Sequence, residues 1–141
     1  MPGITVGVDG SDHSYRALEW AMKEAGLKGV PLNVLAVHGV AAGEWTGRPI
    51  VFPEDQAMTD QARSWAEEAI SKVAGQLGAA RPATINVQAM SGLPAEELVK
   101  ASQDSDMVVV GSRGHGRFAS IVGSTTNKVV HHAKSPVVVV P

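Results

Sequence analysis

A chain of 141 residues with 44% apolar and 18% charged side chains can bury one core, which excludes a disordered protein and argues for a single domain spanning 1–141. Twelve basic and 14 acidic residues give a formal net charge of -2 with no run of like charge, and aromatics reach only 4%, so neither a polyanion-binding surface nor a base-stacking platform is indicated. The absence of cysteine excludes disulfides, thiolate metal sites and a cysteine nucleophile.

The N-terminal stretch has no basic segment followed by an apolar one, and no apolar run approaches the roughly 20 residues of a membrane span, so a soluble cytoplasmic protein without membrane contact is expected. Ile4 to Val8 is a β-branched run stopped by Asp9-Gly10-Ser11, which reads as a strand and a turn. A helix capped by Ser11 or Asp12 should follow, because Ala17, Leu18, Ala21, Met22 and Ala25 recur at three- and four-residue spacing; Gly26 and Gly29 should close it. Leu32 to Val37 is almost continuously apolar, as a strand covered on both faces requires.

From His38 to about Pro53 periodicity disappears, and a connection of that length reads as a lid or binding loop in which Trp45 and Phe52 either cover a ligand or anchor the loop. A long helix then carries Met58, Ala62, Trp65, Ala66, Ala69, Ile70, Val73 and Leu77 on one stripe and ends near Gly75 to Gly78. Ile85, Val87 and Ala89 alternate with Asn86 and Gln88, the pattern of a strand near a sheet edge. Gly92-Leu93-Pro94 turns into a helix through Leu98 and Val99. Met107 to Val110 and Val137 to Val140 are further strands, separated by a glycine-rich loop and a helix running to about Ala133. His131 and His132 suit the C-terminal end of that helix as solvated residues.

Strands alternating with helices predict an α/β fold: a doubly wound, five-stranded, mostly parallel sheet with helices on both faces and a flavodoxin-like order. Ligands of such sheets bind beyond the carboxyl ends of the strands, which selects Asp9-Gly10-Ser11, Val37-His38 and the segment from Gly111 onward. The last segment is the richest in glycine and hydroxyls. Its backbone amides and the following helix N-terminus suit phosphate, with Gly123 to Thr125 as donors and Arg113 or Arg117 adding charge; a plain tight turn explains the glycines equally well. No G-x-x-x-x-G-K-[ST] loop and no G-x-S-x-G elbow occurs.

Val6-Gly7-Val8-Asp9-Gly10-Ser11, Val108-Val109-Val110-Gly111-Ser112-Arg113-Gly114 and Ser135-Pro136-Val137-Val138-Val139-Val140 together resemble the nucleotide-binding branch of the universal stress protein family, over essentially the whole chain. Gly111, Gly114, Gly123 and Ser124 correspond to its G-x2-G-x9-G-[ST] signature, with eight residues instead of nine between Gly114 and Gly123. The resemblance implies the adenine nucleotide α-hydrolase-like variant of the fold and ATP or AMP as ligand, with Mg2+ held through the phosphates. It places Asp9 at the adenosine end, the Val37 backbone at adenine and Gly111 at the ribose. Gly114, Gly123, Ser124 and Thr125 then hold phosphates, with Arg113 beside them. It further implies a homodimer joined through Val137 to Val140 and a stress-response role with little or no hydrolysis. The competing expectations are an adenylyl-transferring enzyme and a nucleotide-free dimerisation module.

Overall fold

The computed structural model describes residues 2–39, 55–112 and 123–141. Trp45 and Phe52 lie outside the described residues, as do Arg113, Gly114 and Arg117. Strands β1 (Ile4–Val8), β2 (Leu32–Gly39), β3 (Ile85–Gly92), β4 (Met107–Gly111) and β5 (Val137–Val140) form one wholly parallel sheet in the order β3-β2-β1-β4-β5. Helices α1 (Asp12–Lys28) and α2 (Asp55–Leu77) pack on one face, and α3 (Pro94–Ser102) and α4 (Ser124–His132) on the other. This is the doubly wound α/β fold that the alternation of elements predicts, but the order is 3-2-1-4-5 and not the flavodoxin-like 2-1-3-4-5, because β3 pairs outside β2 and the chain crosses to the far side of β1 only with β4.

Period-two alternation sorts each central strand between two cores. Ile4, Val6, Val8, Val34 and Ala36 meet Leu18, Met22 and Val73 beneath α1 and α2. Leu35, Val37, Val108 and Val110 meet Leu98 and Val129 beneath α3 and α4. The continuous apolar run of β2 is therefore explained by burial on both sides. β3 is an edge strand, as its alternation foretells: Ile85, Val87 and Ala89 pack toward the first core, whereas Asn86 and Gln88 are exposed. Trp65 also packs, half-buried, against the first core.

Across β1, β2 and β3 one register row is polar: Thr5 opposite Asn33, and Asn33 opposite Asn86. The Asn86 Nδ2 amide donates to Asn33 Oδ1 at 3.0 Å, Asn33 Nδ2 donates to the Pro2 carbonyl, and the Thr5 and Ser105 hydroxyls bond at 2.7 Å. These bonds satisfy polar groups that would otherwise be costly, since Thr5 and Asn33 are each only 2% exposed.

One glycine read as a helix end, Gly26, lies inside its helix, while α2 ends at Leu77, within the Gly75 to Gly78 span where its end was expected. α1 runs through Gly26 and stops at Gly29, whose φ of +66° supplies the left-handed cap. Gly26 is there for space: a Cβ at that position would run into the carbonyl oxygen of Ala80, in the 3-10 turn (Gly78–Ala80) after α2. α2 runs through Gly75 to Leu77, and a Cβ on Gly75 meets nothing within 4 Å. β2 and β3 run past their apolar segments to Gly39 and Gly92 because the two strands pair with each other over that length. No helix among the described residues is long and apolar enough to cross a membrane.

The contrast between the two helical glycines is measurable by urea denaturation. Gly26→Ala should lose about 1 to 3 kcal/mol through overpacking against Ala80. Gly75→Ala should gain up to about 1 kcal/mol from helix propensity alone.

Candidate functional site at the strand-order reversal

From β1 the chain winds outward through β2 to β3, then returns to β4 on the other side of β1 and winds outward to β5. The connections leaving the carboxyl ends of β1 and β4 therefore depart toward opposite faces, and a crevice opens between them. Its two walls are the Asp9-Gly10-Ser11 turn and the end of β4 at Gly111-Ser112.

The first wall is knitted by short-range bonds. Gly10 has φ +86°, a conformation glycine adopts without steric cost, and it lets the chain reverse directly into α1. The Ser11 amide donates to Asp9 Oδ1 at 2.9 Å, and the Ser14 amide donates to the N-cap oxygen Ser11 Oγ at 3.1 Å. Ser14 Oγ in turn donates to the Ser11 carbonyl at 2.9 Å and accepts from the Asp9 amide at 3.2 Å. Asp9 thus acts as a turn residue with one carboxylate oxygen, while the residue as a whole remains exposed at the mouth of the crevice.

The second wall is a junction of three elements. The Ser112 amide donates to the Val140 carbonyl at 2.8 Å, binding the end of β4 to the end of β5. The Ser112 carbonyl accepts from the Gly123 amide at 2.9 Å, so the residue that leads into α4 is held at the end of β4. Thr126, 4% exposed, donates its hydroxyl to the Gly111 carbonyl at 2.6 Å and fixes the first turn of α4 on the strand. Gly111 is required by a close approach: a Cβ there would lie 2.9 Å from the carbonyl carbon of His13 and 3.0 Å from its Cβ.

The start of α4 has the character of an anion site. Gly123 is the N-cap and offers no side-chain cap, and the first turn holds no acid. The intrahelical ladder begins where the Asn127 amide donates to the Gly123 carbonyl at 2.9 Å, so the amides of Ser124, Thr125 and Thr126 precede any intrahelical acceptor. Helix-start amides of this kind, with the helix dipole behind them, attract negative charge. His131 and His132 are exposed in the last turn, where positive charge complements the dipole.

The structure brings Asp9, Gly111, Gly123, Ser124 and Thr125 to the carboxyl end of the sheet, where the sequence placed them. Val37 lies on β2 one residue beyond the last β1–β2 pair, Val8 with Ala36, so its backbone borders the same end. Its side chain is buried in the second core. One detail differs from expectation: the Gly123 amide is already donated to Ser112, which leaves the amides from Ser124 onward as the donors of this helix start. Sequence reasoning missed Thr126 and His13. Thr126 could have been found from its three-residue spacing to the buried Val129, which marks a hydroxyl on an inward face. His13 carried no signal, because its role comes only from the approach of α1 to β4. Among the described residues no group of histidine, aspartate and glutamate is arranged to hold a metal ion.

With this geometry established, comparisons with known proteins give a consistent result. The model of the universal stress protein family matches residues 2–141. A universal stress protein of Mycolicibacterium smegmatis is 35% identical over 139 residues, which is 98% of this chain and 47% of that protein. One of Mycobacterium tuberculosis is 33% identical over 141 residues, again 98% of this chain and 47% of the relative. The chain thus spans about half the length of the curated relatives it matches. Among solved structures, the universal stress protein UspA of Lactobacillus plantarum superposes with a TM-score of 0.73 at 25% identity, covering 99% of this chain and 97% of that one. A universal stress protein of Archaeoglobus fulgidus, solved in complex with dAMP, gives 0.68 at 27% identity, covering 100% and 98%.

The junction predicts a specific loss. Thr126→Val, close to isosteric, should lower stability by about 1 to 3 kcal/mol in urea denaturation by leaving the Gly111 carbonyl without its donor. Thr126→Ser should restore most of that loss.

Proposed function

This chain belongs to the universal stress protein family, and on that premise we propose that it binds an adenine nucleotide, ATP or AMP, in the crevice between the ends of β1 and β4. The observation that carries the proposal is the start of α4: amides that precede the intrahelical ladder and find no acceptor among the described residues, no capping side chain and no acid, held by Ser112 against the strand-order reversal. The likeness to the dAMP-bound protein of Archaeoglobus fulgidus supports the adenine part of the ligand.

In this reading the amides of Ser124 and Thr125 and their hydroxyls take the phosphates, and Mg2+ reaches the site through those phosphates. Gly111, at the end of β4, borders the ribose with its backbone. Asp9 faces the adenosine, and the backbone of Val37 borders the base. Gly123 serves as the hinge that brings the helix start to Ser112. Arg113 and Gly114 are assigned to the phosphates from the sequence resemblance alone. Hydroxyls of serine and threonine are not bases at neutral pH, so the site is read as one that binds nucleotide with little or no hydrolysis and reports occupancy to a partner.

That partner begins with a second copy of this chain. β5 is an edge strand of four valines, and an uncovered apolar edge favours pairing. Val139 on β5 and Val130 on α4 are 38% and 49% exposed, so burial against another copy removes apolar surface from water. A cytoplasmic stress-response module of this kind is a proposal for the chain in hand; the relatives about twice its length carry further sequence of their own.

Calorimetry with ATP, AMP and inorganic triphosphate, each with and without Mg2+, tests the site. Asp9→Ala should weaken ATP by about tenfold or more and leave triphosphate nearly unchanged. Equal losses for both would remove Asp9 from the adenosine end. Val139→Glu should shift sedimentation from dimer to monomer with nucleotide binding retained; a dimer that survives the charge would place the interface elsewhere.

A further inference from the structure

A second concavity, of different chemistry, lies away from the crevice. α3 packs on β1, β2 and β4, and a groove of about 250 Å3 remains between α3 and the β2–β3 half of the sheet. Its wall on α3 is formed by Glu97, Lys100 and Ala101, which share one helix face at three- and four-residue spacing. Its floor includes Leu35, Gln88 and Met90.

Glu97 is half-buried and Lys100 exposed, and among the described residues neither charge has a hydrogen-bond or ion-pair partner. Asp104, further along the same wall, is already engaged. A bound ammonium would give the Glu97 carboxylate an opposite charge and a hydrogen-bond donor. Two opposite charges three residues apart on a helix sit roughly 5 to 6 Å apart at their Cβ atoms, which suits a molecule bearing both charges close together. On the groove floor the Gln88 amide can donate and accept, and Leu35, Met90 and Ala101 offer an apolar seat.

We propose that this groove is a second ligand site and that it takes a free L-α-amino acid with a compact apolar side chain. The ligand ammonium meets Glu97, its carboxylate meets Lys100, and its side chain lies on Leu35, Met90 and Ala101. The volume corresponds to about eight water molecules at roughly 30 Å3 each, enough for such a molecule. Phosphate-bearing ligands are disfavoured here, because the wall presents two carboxylates and no helix start. The groove contains none of Asp9, Val37, Gly111, Gly123, Ser124 or Thr125, so its occupancy can be tested independently of nucleotide binding.

The test is an NMR titration of the 15N-labelled chain with L-leucine, L-methionine and L-valine, with isovalerate and isopentylamine as single-charge controls. At least one of the amino acids should shift the amides of Gln88, Met90, Lys100 and Ala101, and each control should bind about tenfold more weakly or worse. Glu97→Gln and Lys100→Met should each weaken the amino acid by about tenfold, with a dispersed spectrum and an unchanged response to ATP. The proposal is overturned if no amino acid shifts these amides at about 10 mM, or if the controls or the variants bind as well as the zwitterion and the parent chain.

Discussion

Ser112 is the joint on which the geometry of the site depends. Its amide holds the end of β5 and its carbonyl holds the first residue before α4, so three elements separated in sequence share one residue at the carboxyl edge of the sheet. Without the bond to Gly123, the helix start would not be fixed relative to β4, and its first amides would point to no defined place. Thr126 repeats the restraint from inside the helix by bonding to Gly111, one residue upstream. Two short bonds thus convert a general property of helix starts into a located one.

The opposite wall is rigid for local reasons. Asp9, Ser11 and Ser14 satisfy one another around a glycine turn, and α1 departs at once to lie against Gly111. The contact between His13 and Gly111 holds the walls at a separation set by backbone packing, which flexes less than side-chain contact. This is why glycine at 111 has meaning beyond turn formation: any side chain would push α1 away from the sheet. The same economy recurs at Gly26, where the absence of a Cβ admits the Ala80 carbonyl.

Much of this was legible in the chain itself. Apolar runs marked β1, β2, β4 and β5 as strands, alternation of Ile85, Val87 and Ala89 with amides marked β3 as an edge, and strand ends followed by Gly, Asp and Ser marked both walls of the crevice. Features set by tertiary approach were not legible. Gly26 read as a helix terminator because local propensity cannot register the neighbouring Ala80 carbonyl, and the extension of β2 and β3 to Gly39 and Gly92 depends on strand pairing across some 50 residues. Thr126 and His13 became visible only once α4 and α1 were placed on β4. Glu97 and Lys100 drew no attention in the sequence, and only the groove beside them gives the pair a direction.

Hydrogen–deuterium exchange of the intact chain with and without ATP and Mg2+ tests the central claim most directly, because it locates nucleotide contact on the backbone amides that the claim invokes. Slowed exchange should concentrate at 9–11, 111–112 and 124–126, with the groove strand at 85–92 little changed. Saturating ATP that left those three segments unprotected, or that protected other segments only, would contradict the assignment of the crevice as the nucleotide site.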